Sequence, residues 1–133
     1  MVKYSGLWHN KTMTKIVFYD VTETEEKVFD SLKDQNEVVL IKECISEENT
    51  VTDADIISVF VSSTVTEQLI DKMDNLKLIA CRSTGFNNID VPACKSKNIS
   101  IVNVPTYGER TVAEYTFALM LALSRKILPS VQQ

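Results

Sequence analysis

The sequence predicts an α/β fold: a doubly wound, parallel, five-stranded sheet that ends in a long apolar helix. Three observations predict it. From Lys15 onward short apolar runs alternate with amphipathic stretches, the pattern of a parallel sheet flanked by helices. The apolar runs are nearly continuous, as strands covered on both faces require, whereas half-exposed strands alternate. Right-handed crossovers then wind the helices around the sheet, and the flavodoxin-like strand order 2-1-3-4-5 follows.

Each element has its own local signal. KIVFYDV (15–21) is a β-branched and aromatic run suited to a buried first strand. TETEEKVFDSLKD (22–34) places Val28, Phe29 and Leu32 at helical spacing, with a Thr and acids in front, as a helix N-terminus prefers. EVVLI (37–41) and IISVFV (56–61) read as the second and third strands, the latter preceded by Thr52, Asp53 and Asp55. TVTEQLIDKM (64–73) is a short helix with Leu69, Ile70 and Met73 on one side. KLIACR (77–82) is the fourth strand and ISIVNV (99–104) the fifth. Between them VPACKSKN (91–98) is a helix opened by Pro92, a residue suited to the first turn. Residues 1–12 lack any period and read as a leader or arm, with Met13 a candidate natural start.

The last element, ERTVAEYTFALMLALSRKIL (109–128), differs from the others. Thr111 and Glu114 have the spacing of a capping box, and Arg125 and Lys126 lie where cations suit the helix dipole. Val112, Phe117, Leu119, Met120, Leu121 and Leu123 run nearly around the whole circumference. Such a helix expects burial on all sides. One small domain can cover one face, so the rest calls for another domain, another subunit or both.

Composition narrows the function classes. The 133 residues suffice for one domain with a real core. A formal net charge of −4 disfavours a nucleic-acid or anionic-membrane surface, which needs a basic patch. No apolar run reaches the roughly 18 residues of a membrane span, and MVKYSGLWHN has no apolar signal-peptide core. Cys44, Cys81 and Cys94 form no C-x-x-C pair and have no His nearby, so no metal site is expected. An odd count without a signal reads as reduced thiols in a cytoplasmic protein, with Cys81 in the core.

Two loops could carry chemistry. RSTGFNNID (82–90) follows the fourth strand, where open α/β sheets bind ligands. Successive N–H groups of Ser83, Thr84 and Gly85 could form an anion-binding nest suited to a carboxylate, with Gly85 free to adopt positive φ or admit a ligand closely. The plain alternative is a Gly/Asn turn. NVPTYGERTVAE (103–114) follows the fifth strand at the same sheet end, stiffened by Pro105 and carrying Tyr107. For this loop the plain alternative is a simple connection with Tyr107 on the surface.

Together, KLIACRSTGFNNID and NISIVNVPTYGERTVAEYTFALMLALSRK resemble the D-isomer-specific 2-hydroxyacid dehydrogenase family, with D-lactate dehydrogenase-like members matching best, over about residues 15–128. The resemblance implies two α/β domains: a substrate-binding domain (13–108 in this chain), joined through a crossover helix (109–133) to a Rossmann domain that binds NAD. It implies that the backbone of Ser83, Thr84 and Gly85 holds the substrate carboxylate. By the same resemblance Tyr107 contacts the substrate, Val112 lies close to the nicotinamide, and the helix from Glu109 also packs in a homodimer interface. The family's catalytic Arg, Glu and His have no counterpart in these residues: the one histidine, His9, falls in the unmatched leader. Gly6, Gly85 and Gly108 cannot make the G-x-G-x-x-G dinucleotide fingerprint. The chain is therefore expected to be the substrate-binding part of such an enzyme, acting on a small 2-oxo or 2-hydroxy acid and inactive by itself. The alternatives are a self-sufficient flavodoxin-like binding module without catalysis, and a truncated product that dimerises with itself or with a longer homologue.

Overall fold

A computed structural model describes residues 13–127. Five strands form one parallel sheet: β1 (Thr14–Phe18), β2 (Asn36–Leu40), β3 (Ile56–Val59), β4 (Leu78–Cys81) and β5 (Ser100–Val102), in the order β2-β1-β3-β4-β5. This is the order expected from the alternating pattern. The connections carry α1 (Glu23–Phe29), a 3-10 turn (Asp30–Leu32), α2 (Glu67–Asp71) and α3 (Val91–Ser96), and α4 (Glu109–Ser124) follows β5.

Register divides the sheet into two unequal faces. Val17, Ile57 and Ile79 are neighbours across β1, β3 and β4, and Val39 and Ile101 extend their row to the edges. Side chains in one such row share a face, and the next row points the other way. The Val17 row, with Tyr19, Val59 and Cys81, is buried in one cluster with Leu69 and Ile70 of α2 and Ala93 and Cys94 of α3. The opposite row runs Phe18, Ser58, Ala80 and Val102. Its cover thins toward β5, where Val102 is 49% exposed. On that face Phe29 of α1 stacks on Phe18, ring centroids 4.0 Å apart. The expectation of full cover on both faces therefore holds for one face and only in part for the other. Val28 and Leu32, expected to pack beside Phe29, are exposed.

Side chains mark the helix starts. Glu25 Oε2 accepts from the Thr22 N–H at 2.9 Å and from the Thr22 hydroxyl at 2.7 Å, ahead of α1. Thr66 accepts from the Leu69 N–H at α2, and Asp90 from the Ala93 N–H at α3. The capping box expected at Thr111 and Glu114 does not form. Gly108 is the N-cap, which puts Thr111 inside the helix, and Glu114 instead accepts from Arg110 Nε at 3.2 Å.

The end of the chain departs from expectation more widely. The helix closes at Ser124 rather than running to 128, because Lys126 takes a left-handed backbone (φ 50°) and its N–H turns back to Leu123 O. Residue 128 lies outside the described residues, as does the leader 1–12. No residue of α4 is buried, so the domain does not cover even the one face expected of it.

The unequal faces make a direct prediction. Ile57→Ala, at a fully buried position of the Val17 row, costs about 2–5 kcal/mol. Val102→Ser, on the thinly covered row, changes stability by roughly 0.5 kcal/mol or less. Urea unfolding of the two variants checks both values, and equal losses would show that the faces are equally packed.

Candidate functional site

Parallel strands bring all their carboxyl ends to one edge, and both sequence motifs emerge there, from the adjacent strands β4 and β5. Backbone and side chains knit them together. The Val104 N–H donates to Ser83 O at 3.1 Å, and the Thr84 hydroxyl donates back to Val104 O at 3.0 Å. Asn103 Nδ2 donates to Thr84 O at 2.7 Å. Ser83 Oγ donates to Gly85 O at 2.7 Å and sits 3.1 Å from Cys81 Sγ beneath the loop. All three carbonyls of Ser83, Thr84 and Gly85 are therefore occupied. Their three N–H groups have no acceptor among the described residues. A loop with tied carbonyls and free amides presents positive dipole ends and suits an anion.

Of the two roles open to Gly85, close approach of a ligand or a positive φ, the second is not taken: its φ is not positive. An added Cβ at Gly85 would meet nothing within 4 Å. A side chain at Gly85 would therefore start into open space. Ser83 is buried, while Thr84 and Gly85 face solvent. Tyr107, three residues beyond Val104, is 68% exposed, and Val112 on the first turn of α4 is 66% exposed. No hydrogen bond joins Tyr107 or Val112 to the Ser83–Gly85 loop among the described residues.

A second polar lattice, not foreseen from the sequence, fastens the strand ends beside this loop. Asp20 holds a left-handed backbone (φ 57°), which Asp tolerates better than most residues. Its carboxylate accepts from the Phe60 N–H at 3.0 Å, Ser62 Oγ at 2.7 Å and Ser63 Oγ at 2.6 Å. Desolvation pushes the Asp20 carboxyl upward, but the donors Ser63, Phe60, Ser62 and Cys44 outweigh it and hold the group below the usual carboxylate range. Asn88 Nδ2 braces the same turn from the other side, donating to Phe60 O at 3.0 Å and Ser63 O at 2.6 Å. Arg82, immediately before the amide loop, donates to Ser58 O, Ser58 Oγ, Tyr19 O and Asp20 O at 2.8–3.2 Å. Its Nε is buried without a hydrogen bond, 3.8 Å from Glu25 Oε1.

Residues 16–130 match the model of the catalytic domain of the D-isomer-specific 2-hydroxyacid dehydrogenases. The chain belongs to this family. A 2-hydroxyacid dehydrogenase homolog from Schizosaccharomyces pombe is 32% identical over 119 residues, which is 85% of this chain and 36% of the relative. A D-3-phosphoglycerate dehydrogenase from Methanocaldococcus jannaschii is 36% identical over 117 residues, 86% of this chain and 22% of the relative. The crystal structure of D-lactate dehydrogenase from Aquifex aeolicus, complexed with NAD and lactic acid, superposes with a TM-score of 0.79 at 34% identity, over 88% of this chain and 37% of that one. The match thus spans 22–37% of the length of these dehydrogenases.

Within this dehydrogenase domain, Ser83, Thr84 and Gly85 lie on the loop that follows β4, with Ser83 buried and Thr84 and Gly85 exposed. Asp20, Arg82, Asn88 and Asn103 went unnoticed, because each acts through a bond to backbone 19–63 residues away. Their signal was slight: an Asp two residues after the end of β1, an Asn inside the first loop and an Asn opening the second. A recess of about 350 Å³ lies beside the same edge, lined by Thr64, Thr66, Gln68, Asn87, Asn88 and Asp90. None of Ser83, Thr84, Gly85 or Tyr107 lines it. Among the described residues no group of His, Cys, Asp or Glu could hold a metal ion, and no helix is long and apolar enough to cross a membrane. All three cysteines are free, with Cys81 and Cys94 buried and Cys44 exposed.

Asp20 yields a test with a defined sign. A carboxyl whose pKa is lowered by folding stabilises the native state above its ordinary pKa, and that contribution fades as pH falls through the folded value. Asp20→Asn keeps the backbone preference but removes the charge, and lowers stability at neutral pH by about 1–3 kcal/mol. The gap to wild type narrows on acidification below about pH 4. Urea midpoints measured across that range check it; a gap that stays constant would mean that the charge of Asp20 contributes nothing.

Proposed function

We propose that the chain forms the substrate-binding part of a NAD-dependent D-2-hydroxyacid dehydrogenase, which reduces a 2-oxo acid such as pyruvate to the D-2-hydroxy acid. The observation that carries this reading is the Ser83–Gly85 loop, with every carbonyl tied and every N–H free of acceptors among the described residues. Amides so arranged receive a substrate carboxylate and hold its carbon chain in a fixed direction. Tyr107 offers a phenol at the same edge, to contact the substrate beside that carboxylate. Val112 offers an apolar surface at the start of α4, to pack near a nicotinamide ring.

The residues present do not fit the rest of that cofactor. Gly6, Gly85 and Gly108 are too far apart in sequence to form a glycine-rich phosphate turn. When bound, NADH supplies the hydride that reduces the keto carbon. The part assigned to this chain is to bind and orient the acid. The general acid, its carboxylate partner and the arginine belong to a Rossmann-containing remainder. In this reading α4 is the crossover to that remainder and one face of a homodimer, which accounts for a helix with Phe117, Met120 and Leu123 all exposed. A self-contained module accounts for them less well, because it would fold such a helix onto its own sheet.

Titration of the ¹⁵N-labelled chain with pyruvate, read by amide chemical shifts, tests the carboxylate site. Shifts concentrated on Ser83, Thr84 and Gly85 are expected, and an unresponsive loop would refute the assignment. In parallel, NADH fluorescence and absorbance are expected to show neither binding nor oxidation. Turnover by the 133-residue chain would mean that the catalytic groups lie within it and that the division of roles between this chain and a Rossmann remainder is wrong.

A further inference from the structure

Resting on that reading of the loop, we propose that Asn103 is its positioning residue, the side chain that keeps the Gly85 amide turned toward the carboxylate. A trans peptide unit points its C=O and N–H in opposite directions, and none of the described peptides is cis. Fixing a carbonyl therefore aims the next residue's N–H. The Val104 N–H fixes Ser83 O and so aims the amide of Thr84. Asn103 Nδ2, at 2.7 Å, fixes Thr84 O and so aims the amide of Gly85.

The Thr84–Gly85 peptide is the one that most needs such a tie. Glycine resists rotation least, so this plane turns over easily. Turned over, it would present the negative end of Thr84 C=O where the acid's carboxylate must sit. Asn103 prevents this with a neutral donor, which adds no charge beside the anion. It also stands at the head of the second motif, four residues before Tyr107. One side chain thus links the loop that receives the carboxylate with the segment that carries the phenol.

Asn103→Asp and Asn103→Ala test this, read by ¹⁵N relaxation of the loop amides and by pyruvate titration, with circular dichroism checking the fold at each pH. At neutral pH both variants are expected to lower the Gly85 order parameter from about 0.85 to below about 0.6. Both are expected to weaken pyruvate binding about tenfold, the worth of one hydrogen bond. Acidification through the range of an ordinary Asp, about pH 3.9, protonates the new carboxyl, restores a donor and recovers loop order in Asn103→Asp alone. A Gly85 amide that stays ordered in both variants, or an Asn103→Asp loop that ignores pH, would overturn the proposal. Loosened variants alongside a wild type that does not bind pyruvate would leave the tie standing and remove the carboxylate reading.

Discussion

Val17, Ile57 and Ile79 lie side by side across the three inner strands, buried against α2 and α3. In a sheet, a slip of one residue would turn this whole row out to the opposite face, so burial of the row sets the register of every strand. Register in turn sets where each strand stops. The ends of β1, β3, β4 and β5 meet at one edge, and the polar groups after them come within hydrogen-bonding reach. The edge that carries both candidate loops is thus a consequence of apolar packing several residues away.

What the core leaves free at that edge, side chains then immobilise. Asp20 and Asn88 grip the turn after β3 from two sides, Arg82 clasps the ends of β1 and β3, and Asn103 holds the loop after β4. Each bonds to the backbone of another segment, and Asp20 and Arg82 bond to serine hydroxyls as well. The result is a hydrogen-bonded frame on which the Ser83–Gly85 amides are groups still lacking acceptors among the described residues. Preorganised donors of this kind cost no reorganisation when an anion arrives. Val102, at the β5 end of the opposite row, and the helix α4 show the contrasting condition, apolar surface that the described residues leave open.

Much of this was legible in the sequence. The β-branched runs around Val17, Ile57 and Ile79 announced the inner strands, and their alternation with helices implied the order β2-β1-β3-β4-β5. Pro92 marked the opening of α3, and the apolar setting of Cys81 marked a core thiol. The motif at Ser83–Gly85 stood out because glycine and small polar residues follow a strand directly. The errors have physical causes. Thr111 and Glu114 had the right spacing for a cap, but spacing does not say which residue leaves the helix first, and Gly108 does. The circumference of α4 read as a demand for burial on every side, yet composition cannot say where the covering surface comes from.

The sequence by itself determined what depends on near neighbours and on period: strand and helix identity, the parallel arrangement, the candidate loops and the family. These follow from backbone preference and apolar spacing, which act over a few residues. Only the tertiary structure decided which carbonyls of the loop are tied and which amides are left open, that Asn103 ties one of those carbonyls, and that Asp20, Arg82 and Asn88 brace the strand ends beside it. Those contacts join residues 19 to 63 positions apart, and a hydrogen bond depends on distance and direction that exist only once the sheet has brought the strand ends together.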